Sequence, residues 1–273
     1  MVNRNILLLV VVVLLVVAVE GVFGQEVQNL RVVDAGNTWF TVKFDTPIAT
    51  DVTVFYSTSF YTFGNSAYSG TITTSHTITV NNLNPDTLYY FNILFSGNTD
   101  DNDGKHYRFV TNIGNGNTYF MSNEGDDIND GSYDSPFRTL NYAKDQLNPG
   151  DTLLIMDGIY TGFGENVCID FRDSDGNSGT LDNPITYRAY NAGYGMHPIF
   201  DGQFNDMYGG PSGANYIFFI FGAKNIVFDS LWVRNIDHET STGEEVSGFR
   251  VLYKSSDNIA FRNCYASSLM PWG

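Results

Sequence analysis

An approximate internal repeat near the C-terminal end of the sequence limits the fold more than any other feature. The 21 residues from Asn215, NYIFFIFGAKNIVFDSLWVRN, align with the 21 residues from Gly248, GFRVLYKSSDNIAFRNCYASS, at a constant offset of 33. In this alignment Asn225 falls on Asn258. Repeats of this kind bury their apolar faces by stacking on one another, so the sequence predicts a solenoid of parallel strands.

Alternation along each strand predicts which side chains point into the solenoid. In the first copy the inward residues are Phe218, Ile220, Ile226, Phe228, Leu231 and Val233. In the second copy they are Val251, Tyr253, Ile259, Phe261, Cys264 and Ala266. The outward residues are Ile217, Phe219 and Phe221, at the level of Arg250, Leu252 and Lys254. The polar segment 237–247 predicts a loop between the two copies.

One helical pattern precedes these repeats. Ser135 followed by Pro136 is a helix start, because serine caps a free amide and proline fits the first turn. An apolar stripe follows at helical spacing, formed by Phe137, Leu140, Ala143 and Leu147. The sequence 148–150, Asn-Pro-Gly, ends the helix. The open end of a parallel stack exposes apolar side chains and strand edges, so we expect this helix to cap it.

The order of parts from Tyr119 to about Gly202 resembles a known family. A strand, an Asp/Gly-rich turn, one amphipathic helix and further strands follow each other as in the N-terminal cap and first coils of right-handed parallel β-helix proteins. The resemblance is to polysaccharide lyase family nine and the chondroitinase-B-like lyases. It implies a right-handed parallel β-helix over residues 118–273. In those lyases a basic residue on an outer face, helped by calcium, removes the proton next to a uronate carboxylate.

Residues 25–111 alternate strand-like runs with turns at the spacing of a β-sandwich. The run VNNLNPDTLYYFNI resembles the fibronectin type III signature, which implies that Tyr89 is a tyrosine corner bonded to the upstream backbone. Phe44 stands where many members have tryptophan. The predicted fold class is therefore all-β, with an immunoglobulin-like (fibronectin type III) sandwich, a Gly/Asn-rich linker at 112–117 and the β-helix.

The first 24 residues are typical of a secretory signal peptide. Arg4 precedes 14 apolar residues, Ile6 to Val19, and small residues follow up to Gly24. An uncleaved membrane anchor is the alternative, but the run is shorter than the ~20 residues that a span needs. We therefore expect a secreted, extracellular protein, a monomer with no membrane contact after cleavage.

Charge and metal-ligating residues exclude several function classes. A net charge of −16 excludes nucleic acid as a partner, because phosphate binding requires clustered Lys and Arg. Asp-rich turns at 100–103, 126–130 and 173–175 offer oxygen ligands for calcium, but none has the spacing of a helix-loop-helix site. No metal site or cofactor is assigned, and calcium is the ion that such turns would suit. Cys168 and Cys264 are predicted to lie about 14 Å apart, too far for a disulfide, as free, buried thiols.

The candidate site residues are aromatic and basic side chains predicted on the outside of the solenoid. Aromatic rings pack on sugar faces, and Arg or Lys pairs with uronate carboxylates. The candidate substrate-binding residues are Phe219, Phe221, Trp232 and Tyr265, and the candidate catalytic residues are Lys254 and Arg250. Lys254 would act as a base only if its pKa were lowered. The alternatives are that neighbouring chain covers both phenylalanines and that Trp232 and Tyr265 form a structural ladder.

These features predict a secreted carbohydrate-active protein that recognises an acidic extracellular polysaccharide, with cleavage by β-elimination left open. The alternative is a non-catalytic surface, adhesion or scaffold protein. The Asp-rich calcium segment that the lyase resemblance implies has no counterpart before Gly273. We therefore expect the catalytic site to be incomplete and this chain alone to have little or no lyase activity.

Overall fold

The computed structural model of the protein describes residues 26–161, 169–203, 215–235, 246–252 and 256–267. The predicted signal peptide lies outside the described residues, as do Cys168, Tyr253 and Lys254. The described part contains no helix long and apolar enough to cross a bilayer. The chain divides into two compact units. The first comprises the described residues up to Val32, Thr41–Val80 and Tyr90–Tyr107, and the second comprises Val33–Phe40, Asn81–Tyr89 and the described residues from Arg108 onward.

Six strands in the N-terminal half form one hydrogen-bonded sheet. They are β1 (Gln28–Ala35), β2 (Trp39–Ser57), β3 (Asn65–Asn81), β4 (Leu88–Phe95), β5 (Asn98–Asp100) and β6 (Tyr107–Val110). The order is β1-β2-β4-β5, with β3 also paired to β2 and β6 to β4. Strands β2 and β4 are antiparallel, with Val52 opposite Phe95. The runs WFTVKFDT and DVTVFYSTS, which the sequence predicts as two strands, belong to the single strand β2, which ends at Ser57. The backbone stays extended through the residues between them.

The first unit buries the apolar side chains that alternate along these strands. The buried residues include Val42, Phe44, Val52, Val54, Ile78, Val80, Phe91, Ile93 and Phe95. Phe44 is fully buried, and its ring stacks on His76 with 5.2 Å between the centroids. A phenylalanine thus fills the position at which the fibronectin-like pattern favours a larger ring.

Twelve strands in the second unit form three parallel sheets. The sheet orders are β10-β13-β16, β17-β14-β11-β8-β7 and β18-β15-β12-β9, so each coil adds one strand to each sheet in turn. This is the architecture of a parallel β-helix. The strands are β7 (Thr118–Met121), β8 (Thr152–Ile155), β9 (Ile159–Tyr160), β10 (Ile169–Arg172), β11 (Ile185–Ala189), β12 (Ile199–Asp201), β13 (Asn215–Phe221), β14 (Lys224–Asp229), β15 (Trp232–Arg234), β16 (Val246–Leu252), β17 (Asp257–Arg262) and β18 (Tyr265–Ser267).

The offset of 33 residues holds in two of the three sheets. Ile226 pairs with Ile259 and Trp232 with Tyr265, as predicted. In the β10-β13-β16 sheet, however, Phe219 pairs with Arg250, an offset of 31. The predicted register of that strand is wrong, because the connection from β13 to β14 spans residues 222–223 whereas that from β16 to β17 spans residues 253–256. The extra two residues shift β16 relative to its neighbour.

The β-helix interior contains all the inward residues predicted for the first copy of the repeat. The register shift brings Phe249 into this core, and it is half-buried together with Val251, Ile259 and Cys264. Phe261 is 39% exposed, although its ring stacks on Phe228 at 5.3 Å. Ile217, predicted to point outward, is instead fully buried in the core. Cys264 is a free thiol.

Asparagine side chains stack where the chain turns into β14 and β17. The Nδ2 of Asn258 donates to the Oδ1 of Asn225 at 2.9 Å, and Asn225 in turn donates to the carbonyl of Gly179 at 3.0 Å. Both asparagines have positive φ angles, 53° and 52°. Asparagine tolerates this backbone conformation better than most residues. The predicted equivalence of Asn225 and Asn258 is confirmed.

The cap is shorter than the sequence predicts. Helix α1 covers Leu140–Ala143 and continues as a 3₁₀ turn over Lys144–Gln146. Its N-cap residue is Thr139, whose side chain accepts the amide of Tyr142. Phe137 is not helical, because its amide donates to the Phe120 carbonyl at 2.9 Å as in a strand. The predicted apolar stripe is nevertheless buried in the β-helix core at every position.

Arg188, on β11, is fully buried and has acceptors for its charge within the second unit. Its Nη2 lies 2.8 Å from Asp86 Oδ1, and its Nε lies 3.0 Å from Asp229 Oδ2. Its Nη1 donates to the carbonyl of Thr111 at 3.0 Å. A buried guanidinium is tolerated only when it is paired and hydrogen-bonded in this way.

Candidate functional site

The predicted site residues lie on two different sheets of the β-helix. Phe219 and Phe221 are on β13 and Arg250 is on β16, in the β10-β13-β16 sheet. Trp232 and Tyr265 are in the β9-β12-β15-β18 sheet. The structure therefore does not join the four aromatic residues into one surface, and Lys254 lies outside the described residues.

Two rows of side chains run across the outside of the β10-β13-β16 sheet. Asp170, Phe219 and Arg250 form one row. Arg172, Phe221 and Leu252 form the next row. Adjacent strands are ~4.8 Å apart, so each phenylalanine has a charged residue on a neighbouring strand. We call these six residues the outer face.

Phe221 is the exposed aromatic residue of the outer face. It is 42% exposed, and the guanidinium carbon of Arg172 lies 5.8 Å from its ring centroid. The Nη2 and Nε of Arg172 both contact Asp170 Oδ2 at 2.6 Å, and the Arg172 side chain remains 41% exposed. A cation at this distance is attracted to the negative face of the ring. Arg172 is thus held beside the ring while part of its charge reaches solvent.

Phe219 does not expose a ring face, which corrects its assignment as a substrate-binding residue. It is 2% exposed and stacks between Tyr216, at 4.7 Å, and Phe221, at 6.1 Å. Leu252 packs against the same cluster. Phe219 therefore supports the ring of Phe221. The segment that the sequence predicts to cover both phenylalanines, residues 203–214, lies almost entirely outside the described residues.

Arg250 is half-buried on the outer face. Its guanidinium carbon lies 5.8 Å from the ring centroid of Tyr216. Arg250 and Arg172 are on strands two positions apart, about 10 Å across the sheet, and in different rows, about 7 Å apart along the strands. The outer face thus combines one exposed ring with two guanidinium groups, an arrangement suited to a flat ligand that carries negative charge.

Trp232 and Tyr265 form part of a ladder on the β9-β12-β15-β18 sheet. The row runs from Ile159 through Ile199 and Trp232 to Tyr265. The Nε1 of Trp232 donates to Ser267 Oγ at 3.1 Å. Tyr265 is 56% exposed, and the ring of His197 packs edge-on against it at 5.1 Å. The row joins residues of four neighbouring strands of this sheet.

Carboxylates of two Asp-rich turns accept hydrogen bonds from the protein itself. Asp127 accepts the amides of Arg138 and Thr139 through one oxygen and the hydroxyl of Thr139 through the other, so both oxygens hold the start of α1. Asp100 accepts the amide of Val27 at 2.7 Å. Within the described ranges, no group of three or more His, Cys, Asp or Glu side chains could hold a metal ion.

The sequence did not predict Arg172 or Asp170 as parts of the outer face, or Tyr216 as the ring that packs against Phe219. Residues 169–172, Ile-Asp-Phe-Arg, alternate apolar and charged side chains as a half-buried strand does. This alternation is the sequence signal that could have identified Asp170 and Arg172 as outward residues. The loops that separate β10 from β13 have no periodicity, so the sequence alone does not align the two strands.

Comparisons with known proteins give short or weak matches. No family model matches the chain. The chain is 35% identical over 77 residues to the uncharacterized protein YwoF of Bacillus subtilis (strain 168), an alignment that spans 28% of this chain and 14% of that protein.

Comparison with solved structures gives partial matches. A rhamnogalacturonan lyase is 26% identical with a TM-score of 0.36, and the match covers 44% of this chain and 29% of that chain. The pectate lyase Pel9A is 22% identical with a TM-score of 0.36, over 55% and 37% of the two chains. The family 28 exopolygalacturonase of Yersinia enterocolitica is 10% identical with a TM-score of 0.30, over 89% and 60%.

Proposed function

We propose that the chain is a secreted carbohydrate-active protein that binds an acidic extracellular polysaccharide on the outer face. The observation that carries this proposal is the half-exposed ring of Phe221 with the Arg172 guanidinium 5.8 Å from its centroid. A sugar ring packs its C–H face on such a ring. The carboxylate of a uronic acid then accepts hydrogen bonds from a neighbouring guanidinium.

The spacing of the two arginines suits a polymer better than a single sugar. Arg172 and Arg250 lie on the two strands that flank β13 and in different rows, about 10 Å apart across the strands and about 7 Å apart along them. Carboxylates on different sugar units of one chain would meet the two arginines at once. A monosaccharide carboxylate would meet only one. The predicted signal peptide supports an extracellular location, where such polymers occur.

The proposed accompanying domain is a fibronectin type III-like sandwich over residues 25–111, linked through 112–117 to the β-helix. Its support is the tyrosine corner that the sequence predicts. Tyr89 is 5% exposed, and its hydroxyl accepts the amide of Asn84 at 2.9 Å. That is the upstream backbone contact that defines the motif.

Binding to acidic polysaccharides tests the proposal. Purified protein is titrated with polygalacturonate, alginate and chondroitin sulfate, and with uncharged dextran as a control polymer. We expect Arg172→Ala to weaken binding to an acidic polymer about tenfold, since a charge-assisted hydrogen bond contributes about 1.5 kcal/mol or more. Phe221→Ala should weaken it about fivefold, since an aromatic stacking contact contributes roughly 1 kcal/mol. The matched control is Lys224→Ala, which removes an exposed cation from a different sheet of the β-helix.

Melting curves verify that each variant is folded. Acidic-polymer binding that survives the double change Phe221→Ala and Arg172→Ala would rule out the outer face. The absorbance of unsaturated uronates tests cleavage in the same samples. If an acidic polymer binds and no unsaturated product forms, the protein acts as a binding or adhesion module. A rise in absorbance that Lys254→Ala abolishes would instead establish a lyase.

A further inference from the structure

A second aromatic surface belongs to the first compact unit. Five rings pack together there, those of Phe60, Tyr61, Phe63, Tyr90 and His106. The first three lie in the loop between β2 and β3, Tyr90 is on β4, and His106 ends the turn before β6. We call these five residues the aromatic loop cluster. It shares no residue with the outer face.

His106 is fixed at the centre of the aromatic loop cluster. Its ring lies 4.6 Å from Phe60, 4.9 Å from Phe63 and 6.5 Å from Tyr90. Its Nδ1 is 2.8 Å from the side-chain oxygen of the buried Asn92, and its backbone has a φ of 57°. Such a φ is uncommon for a residue other than glycine. The hydrogen bond and the turn together hold the imidazole in one place.

Tyr61 projects from this fixed base into solvent. It is 89% exposed, and its ring packs edge-on against Phe60 at 5.3 Å. The loop is shaped locally, because Ser57 Oγ accepts the amide of Ser59 and Ser59 Oγ accepts the amide of Tyr61. A ring this exposed contributes little to a hydrophobic core, whereas Phe60, against which it packs, is held by the ring of His106.

The formal charge around the aromatic loop cluster distinguishes it from the outer face, which carries two arginines. The described residues of the first unit contain three cationic and six anionic side chains, for a formal charge of −3. The cationic residues are Arg31, Lys43 and Lys105, and the anionic residues are Glu26, Asp45, Asp51, Asp100, Asp101 and Asp103. Two of the aspartates, Asp101 and Asp103, belong to the turn that presents His106. An anionic polymer is repelled there.

The size of the exposed surface favours a sugar over a protein as the ligand of the aromatic loop cluster. A stable protein interface covers about 800 Å² on each partner around a buried apolar centre. One exposed tyrosine ring that packs on a small aromatic base does not supply such a centre. A single exposed ring of this size matches one pyranose face, whose C–H groups pack on it.

We propose that the aromatic loop cluster is a binding site for an uncharged polysaccharide, with Tyr61 as the stacking residue and His106 as the positioning residue. This site is independent of the proposed function of the outer face. The protein would then hold a neutral polymer through its first unit and an acidic polymer through its β-helix.

Affinity electrophoresis of the full chain tests this site. Native gels contain hydroxyethylcellulose, galactomannan, xylan or no polymer, and separate gels contain polygalacturonate. We expect at least one neutral polymer to retard the protein. Tyr61→Ala should weaken that binding about fivefold, since an aromatic stacking contact contributes roughly 1 kcal/mol. Tyr61→Phe should retain most of it.

The matched control is Tyr68→Ala. Tyr68 is 66% exposed, lies in the same unit and bonds to Asp51, but it has no place in the cluster. Its substitution should change neutral-polymer binding less than twofold. Phe221→Ala should leave the neutral polymers unaffected, which separates this site from the outer face. Absence of retardation by all three neutral polymers, or equal loss in Tyr61→Ala and Tyr68→Ala, would overturn the proposal.

Discussion

His76 shows how burial sets the charge of a single residue in the first unit. It is 3% exposed, stacks on Phe44 and has its Nε2 3.0 Å from Thr46 Oγ1. Burial lowers its pKa, because the charged imidazolium loses hydration. A hydrogen bond to the Thr73 backbone and the charge of Asp45 partly oppose this. The unfolded chain restores the ordinary pKa of about 6.5.

This pKa shift predicts that the first unit loses stability in acid. Below pH 6.5 the unfolded chain binds a proton that the folded chain does not, so the free energy of unfolding falls as the pH decreases. His76→Gln cannot titrate. The difference in free energy of unfolding between wild type and His76→Gln should therefore shrink between pH 7.5 and pH 5. Urea denaturation at several pH values measures it, and a difference that stays constant would contradict the assignment.

Cys264 is predicted to be a slowly reacting thiol. Burial raises its pKa, the charge of Asp229 adds to this effect, and its Sγ lies 3.5 Å from the carbonyl of Phe228. A thiol that stays protonated at neutral pH is a weak nucleophile. Iodoacetamide should label Cys264 slowly in native buffer and rapidly in urea. Labelling without reductant also tests the predicted absence of a disulfide, which a linked Cys168–Cys264 peptide would disprove.

The cap illustrates what the sequence determines about an element and what it does not. The apolar spacing from Phe137 to Leu147 correctly predicts the side chains that close the β-helix. The predicted helix start at Ser135 is wrong, because Ser135-Pro136 has the chemistry of a cap but Phe137 pairs in parallel with Met121 of β7 instead. Competition between a local signal and a distant strand is decided by tertiary contacts.

Leu140→Asp should destabilise the second unit. Leu140 is 3% exposed in the β-helix core, so an unpaired carboxylate there costs several kcal/mol. We expect a lower melting temperature and faster proteolysis. Gln146→Asp is the control, because that residue is exposed in the 3₁₀ turn that follows α1. If both variants melt like the wild type, Leu140 does not close the core.

On the outer face, too, the sequence predicts the direction of side chains but not their neighbours across strands. Alternation places Phe219 and Phe221 on one side of β13, which the sequence predicts correctly. Phe219 is buried against Tyr216 and Leu252. The cross-strand partner of Leu252 depends on the length of the connection between β16 and β17. Corner length carries no periodic signal, so the neighbours of each side chain across strands follow only from the fold.

At the scale of the whole molecule, net charge opposes the proposed ligand. The chain carries −16, while an acidic polysaccharide is also negative. The attraction at Arg172 and Arg250 acts over short distances, whereas the repulsion from the remaining charges acts over the Debye length. That length is about 30 Å at 10 mM salt and about 10 Å at 100 mM.

Moderate salt should therefore accelerate association with polygalacturonate. Raising sodium chloride from 10 to 100 mM screens the long-range repulsion more than the close contacts with the arginines. Surface plasmon resonance measures the association rate. Phe221→Ala should lower the affinity at both salt concentrations and leave the direction of the salt effect unchanged. A rate that decreases throughout this range would indicate that local attraction dominates the encounter.

The unequal corners around β13 and β16 bear on how such a chain changes over evolution. Register slips by two residues in one sheet and is restored at Asn225 and Asn258, where the next sheet begins. Insertions at a corner are thus absorbed locally, and the interior does not need to be rebuilt. Each insertion nevertheless gives the adjacent surface new cross-strand neighbours, as with Phe219 and Arg250. Length variation at corners is a route by which new ligand specificity can arise on an old scaffold.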